Sequence, residues 1–266
     1  MTEQELMLTS ILGCRRIDLF TDNIHLTDEQ HKRLQSMRVR RQLNEPLQYI
    51  LGECEFMGLP LYVDHRVLIP RPETEILVEA CIKHVKNIFG DQEILMLDIG
   101  TGSGNIAIAL AHFMDQAKVT SIDISNDAMA VAYRNVLRHE LTQKIDLINL
   151  DLLSFVASNQ KKFDVIIANP PYIKTSDLAM LPPDVRQEPI QALNGGVDGL
   201  DIYRQIIASA EQLLKPGGWI FAEIGDSQHD DLRKLLIDSA IFREPQFIKD
   251  YVGIQRVVIA QQKDIK

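Results

Sequence analysis

The sequence predicts an α/β protein in which a largely parallel sheet is covered by helices on both faces, preceded by a small helical region that ends in a β-hairpin. Three observations carry this. From about residue 76 onward, short apolar runs alternate with helical stretches, the pattern of a parallel sheet built from strand and crossover helix. The glycine-rich segment from Gly100 to Gly104 falls where the first of these strands gives way to a helix, and glycine there lets the backbone approach a ligand closely. The first seventy or so residues lack the alternation and hold two helix starts that carry their own capping residues.

Taken in order, Thr2-Glu3-Gln4-Glu5 and Thr27-Asp28-Glu29-Gln30 each fit the capping box, in which a hydroxyl and a side chain three residues later satisfy the free amides at a helix start. Lys32, Arg33, Arg38, Arg40 and Arg41 crowd the second of these helices, as a solvated face or as a docking surface for an acidic or RNA-bearing partner. Glu53 to Phe56 and Leu61 to Val63 read as two short strands around Gly58-Leu59-Pro60. Pro70-Arg71-Pro72-Glu73 then breaks the chain and restarts it as a helix running toward Gly90. The domain boundary is expected near residue 75, giving parts 1–75 and 76–266. Beyond it, strands are expected at 94–98, 119–124, 145–148, 163–168 and 219–223, with helices at 105–113, 127–140, 200–214 and 228–238. The runs 245–248 and 255–260 lie too close for a crossover helix, so they pair antiparallel or occupy different places in the sheet.

Composition narrows the function. The 266 residues, 45% of them apolar, are enough to bury a sizeable core. No apolar run approaches the length of a bilayer span, and Met1-Thr2-Glu3-Gln4-Glu5 lacks the basic start of an export signal, so a cytoplasmic protein with no membrane contact is expected. Cys14, Cys54 and Cys81 form no C-x-x-C pair, and the seven histidines show no metal-binding spacing; no metal is assigned. A net charge of −9 speaks against direct binding of nucleic acid, which needs clustered cations to neutralise phosphates.

Two motifs carry chemistry. In Leu97-Asp98-Ile99-Gly100-Thr101-Gly102-Ser103-Gly104-Asn105 the spacing is G-x-G-x-G, and Asn105 stands where a dinucleotide fingerprint would need its third glycine. Asp123 follows Gly100 by 23 residues at the end of the second strand, placed to accept hydrogen bonds from both hydroxyls of a ribose. Gly100 to Gly104 with Asp123 therefore predicts an adenosyl site. Leu152, after Asp151 at the third strand's end, is either an adenine contact or an ordinary buried leucine. The second motif, Asn169-Pro170-Pro171-Tyr172, directly follows the fourth strand. The proline pair stiffens the corner and removes its amide hydrogens. The Asn169 side-chain oxygen and the Pro170 carbonyl are left to accept both hydrogens of a planar NH2 group, on which Tyr172 stacks.

Together these motifs resemble Rossmann-like class I methyltransferases, and Asn-Pro-Pro-Tyr resembles the signature of those that methylate amide or exocyclic nitrogens. Over nearly its full length the chain is similar to the release factor glutamine methyltransferase family (PrmC/HemK), with support from the segments at 46–52, 68–75, 188–193, 196–200 and 223–225. The resemblance implies a seven-stranded sheet with an antiparallel last strand, and S-adenosylmethionine held by Gly100, Thr101, Gly102, Ser103, Gly104, Asp123 and Asn169, with Leu152 at the adenine. It further implies that residues 169–172 hold the glutamine of a Gly-Gly-Gln tripeptide in class I peptide chain release factors, and that the N-terminal part docks that partner. A nucleic-acid exocyclic amine methyltransferase is the alternative, since the same tetrapeptide can grip an exocyclic NH2; the acidic charge weighs against it.

Overall fold

The computed structural model of the protein describes residues 1–21 and 25–264. Helices α1 (Glu3–Leu12), α2 (Asp18–Thr21), α3 (Asp28–Gln42) and α4 (Leu47–Leu51) open the chain. Both expected capping boxes form: Thr2 and Thr27 accept from the amides of Glu5 and Gln30, whose side chains accept in return from the cap amides. A small core of Met7, Leu34, Met37 and Ile50 joins three of these helices. Two of the five basic residues on α3 are engaged within the chain, Arg40 with Glu45 and Arg41 with Glu3. Lys32, Arg33 and Arg38 face solvent.

Strands β1 (Glu53–Phe56) and β2 (Leu59–Tyr62) form the antiparallel hairpin. Its turn lies one step earlier than the sequence suggests. Met57 and Gly58, at φ 51° and 76°, make a two-residue connection with both central residues left-handed, the twist that suits a tight hairpin. Leu59 and Pro60 therefore belong to β2.

Helix α5 (Pro72–Phe89) starts with proline and buries Leu77, Val78, Cys81 and Val85 along one stripe. Then β3 (Ile94–Ile99), α6 (Asn105–Phe113), β4 (Ala117–Asp123), α7 (Asn126–Arg138), β5 (Ile145–Asn149), α8 (Leu152–Ser158) and β6 (Phe163–Ala168) alternate. Three short 3₁₀ turns follow, at Thr175–Met180, Val185–Gln187 and Ile190–Ala192, before α9 (Asp201–Leu213), β7 (Leu214–Glu223), α10 (His229–Asp238), β8 (Gln246–Lys249) and β9 (Gln255–Gln261). Beside the short helices α2 and α4, which were not expected, two of these elements differ from expectation. Helix α8 is too short for a visible 3.6-residue period, and Asp151 is its cap, accepting from the Ser154 amide. Strand β7 begins before Pro216-Gly217-Gly218, where its pairing with β6 shifts register.

The seven-stranded sheet runs β5-β4-β3-β6-β7-β9-β8. Strand β9 lies antiparallel to both β7 and β8, so it alone runs against the other six, and the two possibilities left open for the last runs resolve into adjacent antiparallel pairing. Period-2 alternation divides the core. Ile94, Met96, Val165 and Ile167 pack with α5 and α6 on one face, while Leu97, Ile99, Ile166 and Ala168 pack with α8, α9 and α10 on the other. Burying each Ile, Leu, Val or Met side chain among them contributes about 1.5–3 kcal/mol.

The hairpin joins this larger core through Phe56, Leu59 and Leu61. Asn135 of α7 ties it down: its Nδ2 donates to the Tyr62 and Ser103 carbonyls at 2.9 Å each, and its Oδ1 accepts from the Tyr62 amide at 2.8 Å. Val63, Val67 and Ile69 then carry the chain across Ala128 and Val131 of α7.

Candidate active site

At the C-terminal edge of the sheet, β3 ends in the glycine loop. Gly100, Gly102 and Gly104 all have positive φ, at 77°, 54° and 84°, which glycine adopts without steric cost. Their surroundings differ. A side chain on Gly100 would meet nothing within 4 Å, whereas one on Gly104 would stand 3.2 Å from Ile108 and 3.4 Å from Ala132. Gly100 and Gly102 face a cavity of about 450 Å³; Gly104 lets α6 pack on α7. Thr101 and Ser103 are buried beneath the loop. The Thr101 hydroxyl donates to Asp98 Oδ2 at 2.7 Å, as does Ser121 at 3.2 Å. Asp98 is fully enclosed, its Oδ1 has no partner, and burial pushes its pKa up to about 7.

Asp123 ends β4 beside the loop. Its Oδ2 accepts from the Gly102 amide and its Oδ1 from the Ser125 amide, each at 2.9 Å, so each oxygen retains a free lone pair toward the cavity. Burial raises its pKa. Ile99, Ile122, Leu150 and Leu152 give the cavity apolar walls, and Arg66, Val67 and Leu68 from the segment after the hairpin close one side. Leu152 is buried at the first position of α8, whereas Leu153 is largely exposed.

Asn169 and Pro170 line this cavity and also a second one of about 300 Å³, which reaches Arg71, Glu73, Tyr172, Glu223 and Arg256. The corner is clamped. Side chains at Gly195 and Gly225 would approach the Pro171 carbonyl oxygen and the Tyr172 ring to 2.6 and 2.9 Å, and Gln228 donates to the Tyr172 carbonyl at 3.3 Å. The Asn169 Nδ2 donates to the Thr74 hydroxyl at 3.0 Å, and Thr74 donates to Glu223 Oε2 at 2.6 Å. The Tyr172 hydroxyl donates to Glu223 Oε1 at 3.3 Å. Glu223 is 1% exposed, and burial pushes its pKa up to about 7. Opposite this corner, Glu188 accepts from the Ile69 amide at 3.0 Å and from Arg71, which fastens the loop after β6 to the segment entering α5.

Leu68, Thr74 and Glu223 fall in segments that carry the family resemblance, and by it residues 70–75 border the substrate opening, but the sequence gives none of the three a role of its own and does not point to Asn135, Arg66 or Val67. The signal for Glu223 is a lone carboxylate closing the apolar run of β7; the others become neighbours only through the fold. Among the described residues no cluster of three or more His, Cys, Asp or Glu is placed to hold a metal ion, and no helix is long and apolar enough to cross a membrane.

A sheet of this order with one reversed final strand, a glycine loop after its first strand and an acid ending the second define a class I methyltransferase that uses S-adenosylmethionine. The cavity fits that molecule: apolar walls for adenine, Asp123 acceptors for a ribose diol, and glycines at 100 and 102 that let the backbone come close. The family model described as Methyltransferase small domain matches residues 73–182, and that described as PrmC N-terminal domain matches residues 2–52. A release factor glutamine methyltransferase of Thermodesulfovibrio yellowstonii is 39% identical over 98% of this chain and 92% of its own length. One of Geobacter sulfurreducens is 40% identical over 96% and 87%. The chain belongs to the release factor glutamine methyltransferase family. A methyltransferase from Pyrococcus furiosus shares the fold at TM-score 0.58 and 19% identity, covering 90% of this chain and 100% of that one. The hMettl16 catalytic domain, solved with an MAT2A 3′UTR hairpin, shares it at 0.62 and 18%, covering 89% and 81%.

Proposed function

We propose that this protein methylates the side-chain nitrogen, N5, of the glutamine in the Gly-Gly-Gln tripeptide of class I peptide chain release factors. The observation that carries the proposal is that Asn169 and Pro170, with Leu68 and Ala192, form the wall common to both cavities, so a side chain entering the smaller one meets the methyl donor across this corner. When bound, S-adenosylmethionine supplies a methyl group on a positively charged sulfur. Gly100, Gly102, Asp123 and Leu152 would hold it, with Thr101, Ser103 and Gly104 shaping the loop from behind.

The chain's own part is positioning. A carboxamide nitrogen has a delocalised lone pair and attacks poorly unless it is aimed. With its Nδ2 engaged by Thr74, Asn169 has Oδ1 free to accept one amide hydrogen, and the Pro170 carbonyl accepts the other, next to residues that bring no competing donor. These acceptors strengthen as positive charge builds on the nitrogen, and orientation of this kind supplies about 7–11 kcal/mol. Tyr172 packs beside the amide plane. The methylated nitrogen then releases a proton to water, and no covalent enzyme intermediate forms. In this reading residues 1–75 dock the release factor and lend Arg66, Val67 and Leu68 to one side of the donor site, the rest of which residues 76–266 carry.

The test is to incubate the protein with labelled methyl donor and a release factor, then map the label by mass spectrometry. Label on the tripeptide glutamine is expected, and a factor with that glutamine replaced should stay unlabelled. Label elsewhere, or none, would refute the assignment.

A further inference from the structure

We infer that Glu223, acting through Thr74, is a positioning residue that sets which way the Asn169 carboxamide faces, and that its second oxygen holds Tyr172 in the same way. The inference deepens the proposed amide-methylating role of the corner and rests on it.

An asparagine side chain can turn its oxygen and its NH2 group through half a turn with no change of shape. Only hydrogen-bond partners choose between the two states. At the Asn169 corner the choice matters fully, because the inverted state would present an NH2 donor to the NH2 of an incoming amide. The partner of Asn169 is the Thr74 hydroxyl, which by itself is ambivalent, since a hydroxyl donates or accepts equally well. Glu223 removes the ambivalence. When Glu223 is ionised it can only accept, so the one hydrogen of Thr74, at 2.6 Å, goes to Glu223 Oε2. The hydroxyl can then only accept from Asn169, which commits Nδ2 inward and Oδ1 outward. The other oxygen, Oε1, accepts from Tyr172, so one carboxylate at the end of β7 orders both side chains of the tetrapeptide.

The surroundings favour a fixed arrangement. Thr74 and Glu223 are each 1% exposed, so water does not compete for these bonds. Tyr203 donates to the Glu223 backbone carbonyl at 2.5 Å, which anchors that residue from the far side. Thr74 belongs to the first turn of α5 and Glu223 to the last residue of β7, so the relay joins two rigid elements rather than loops. Neither residue lines the donor cavity.

The test uses the full-length protein with Thr74→Val, which keeps shape and removes the hydroxyl, and Thr74→Ser, which restores it. Thr74→Val is expected to lower kcat about tenfold or more on a release factor, with KM for that factor and calorimetric affinity for S-adenosylmethionine within about twofold of wild type. Thr74→Ser should recover most of the rate. Neutron crystal structures of deuterated wild type and Thr74→Val, which tell amide nitrogen from oxygen, read the inference without turnover: Asn169 should hold one orientation in the first and lose the Nδ2-inward state in the second. An unchanged Asn169 in Thr74→Val, or a wild-type rate from it, would overturn the inference. Failure of wild type itself to modify the glutamine would instead sink the proposed reaction, and the crystallographic comparison would still judge the positioning role.

Discussion

At the scale of single residues, the site depends on which atom each polar group has left over. Asn169 turns its NH2 group inward to Thr74 and keeps an acceptor outward; Asp123 uses one lone pair on each oxygen to hold backbone amides and keeps the others for a ligand. Asn169→Ala removes the outward acceptor without touching Asp123 or the glycine loop. Turnover is expected to fall by about 10²–10³, while affinity for S-adenosylmethionine, measured by calorimetry, stays near wild type; a fully active variant would refute the role given to Asn169. The sequence made Asn169, Tyr172 and Asp123 visible because each stands at a strand's end in a recognisable spacing. It did not separate Gly100 and Gly102, which face the cavity, from Gly104, which lets α6 pack close to Ala132, because all three share a positive φ and differ only in what the fold brings near.

At the scale of elements, one side chain hydrogen-bonds both the N-terminal hairpin and the glycine loop. Asn135 bonds both backbone groups of Tyr62 and the carbonyl of Ser103, and its side chain is fully buried. Asn135→Ala leaves those backbone groups without partners, at a cost of about 2–3 kcal/mol in urea unfolding. It is also expected to weaken S-adenosylmethionine binding severalfold by calorimetry, since Ser103 sits within the loop; unchanged affinity would show that the hairpin and the loop are uncoupled. Helices α1 and α3 were legible from their capping boxes, because a capping box is a local device whose residues lie within one turn. Helix α8 was not, being seven residues long and preceded by a cap that reads equally well as the end of a strand. The hairpin turn moved by a residue because Met57 takes a left-handed conformation that its type does not advertise.

At the scale of the molecule, burial of two carboxyl groups links folding to pH. Asp98 and Glu223 are both pushed up to about 7, chiefly by desolvation, whereas in the unfolded chain such groups titrate near 4. Between those limits the folded protein holds protons that the unfolded chain has released, so this contribution is complete below about pH 4 and is lost as pH rises through about 7. Asp98→Asn cannot titrate there. Its stability relative to wild type, measured by urea unfolding from pH 4.5 to 7.5, should therefore improve as pH increases; a constant difference would mean that Asp98 is ionised in the fold.

What the sequence determined by itself was local or periodic: the alternation that makes strands and crossover helices, the capped helix starts, the glycine loop, the acid ending the second strand and the stiff corner at residues 169–172. These follow from steric and hydrogen-bonding rules that act within a few residues. The tertiary structure alone decided that β9 inserts between β7 and β8, that two cavities share one wall, and that Thr74 and Glu223, 149 residues apart, stand behind Asn169. Contacts across such separations leave no spacing to read, because they arise only when the packed sheet brings the ends of distant strands and helices to one edge.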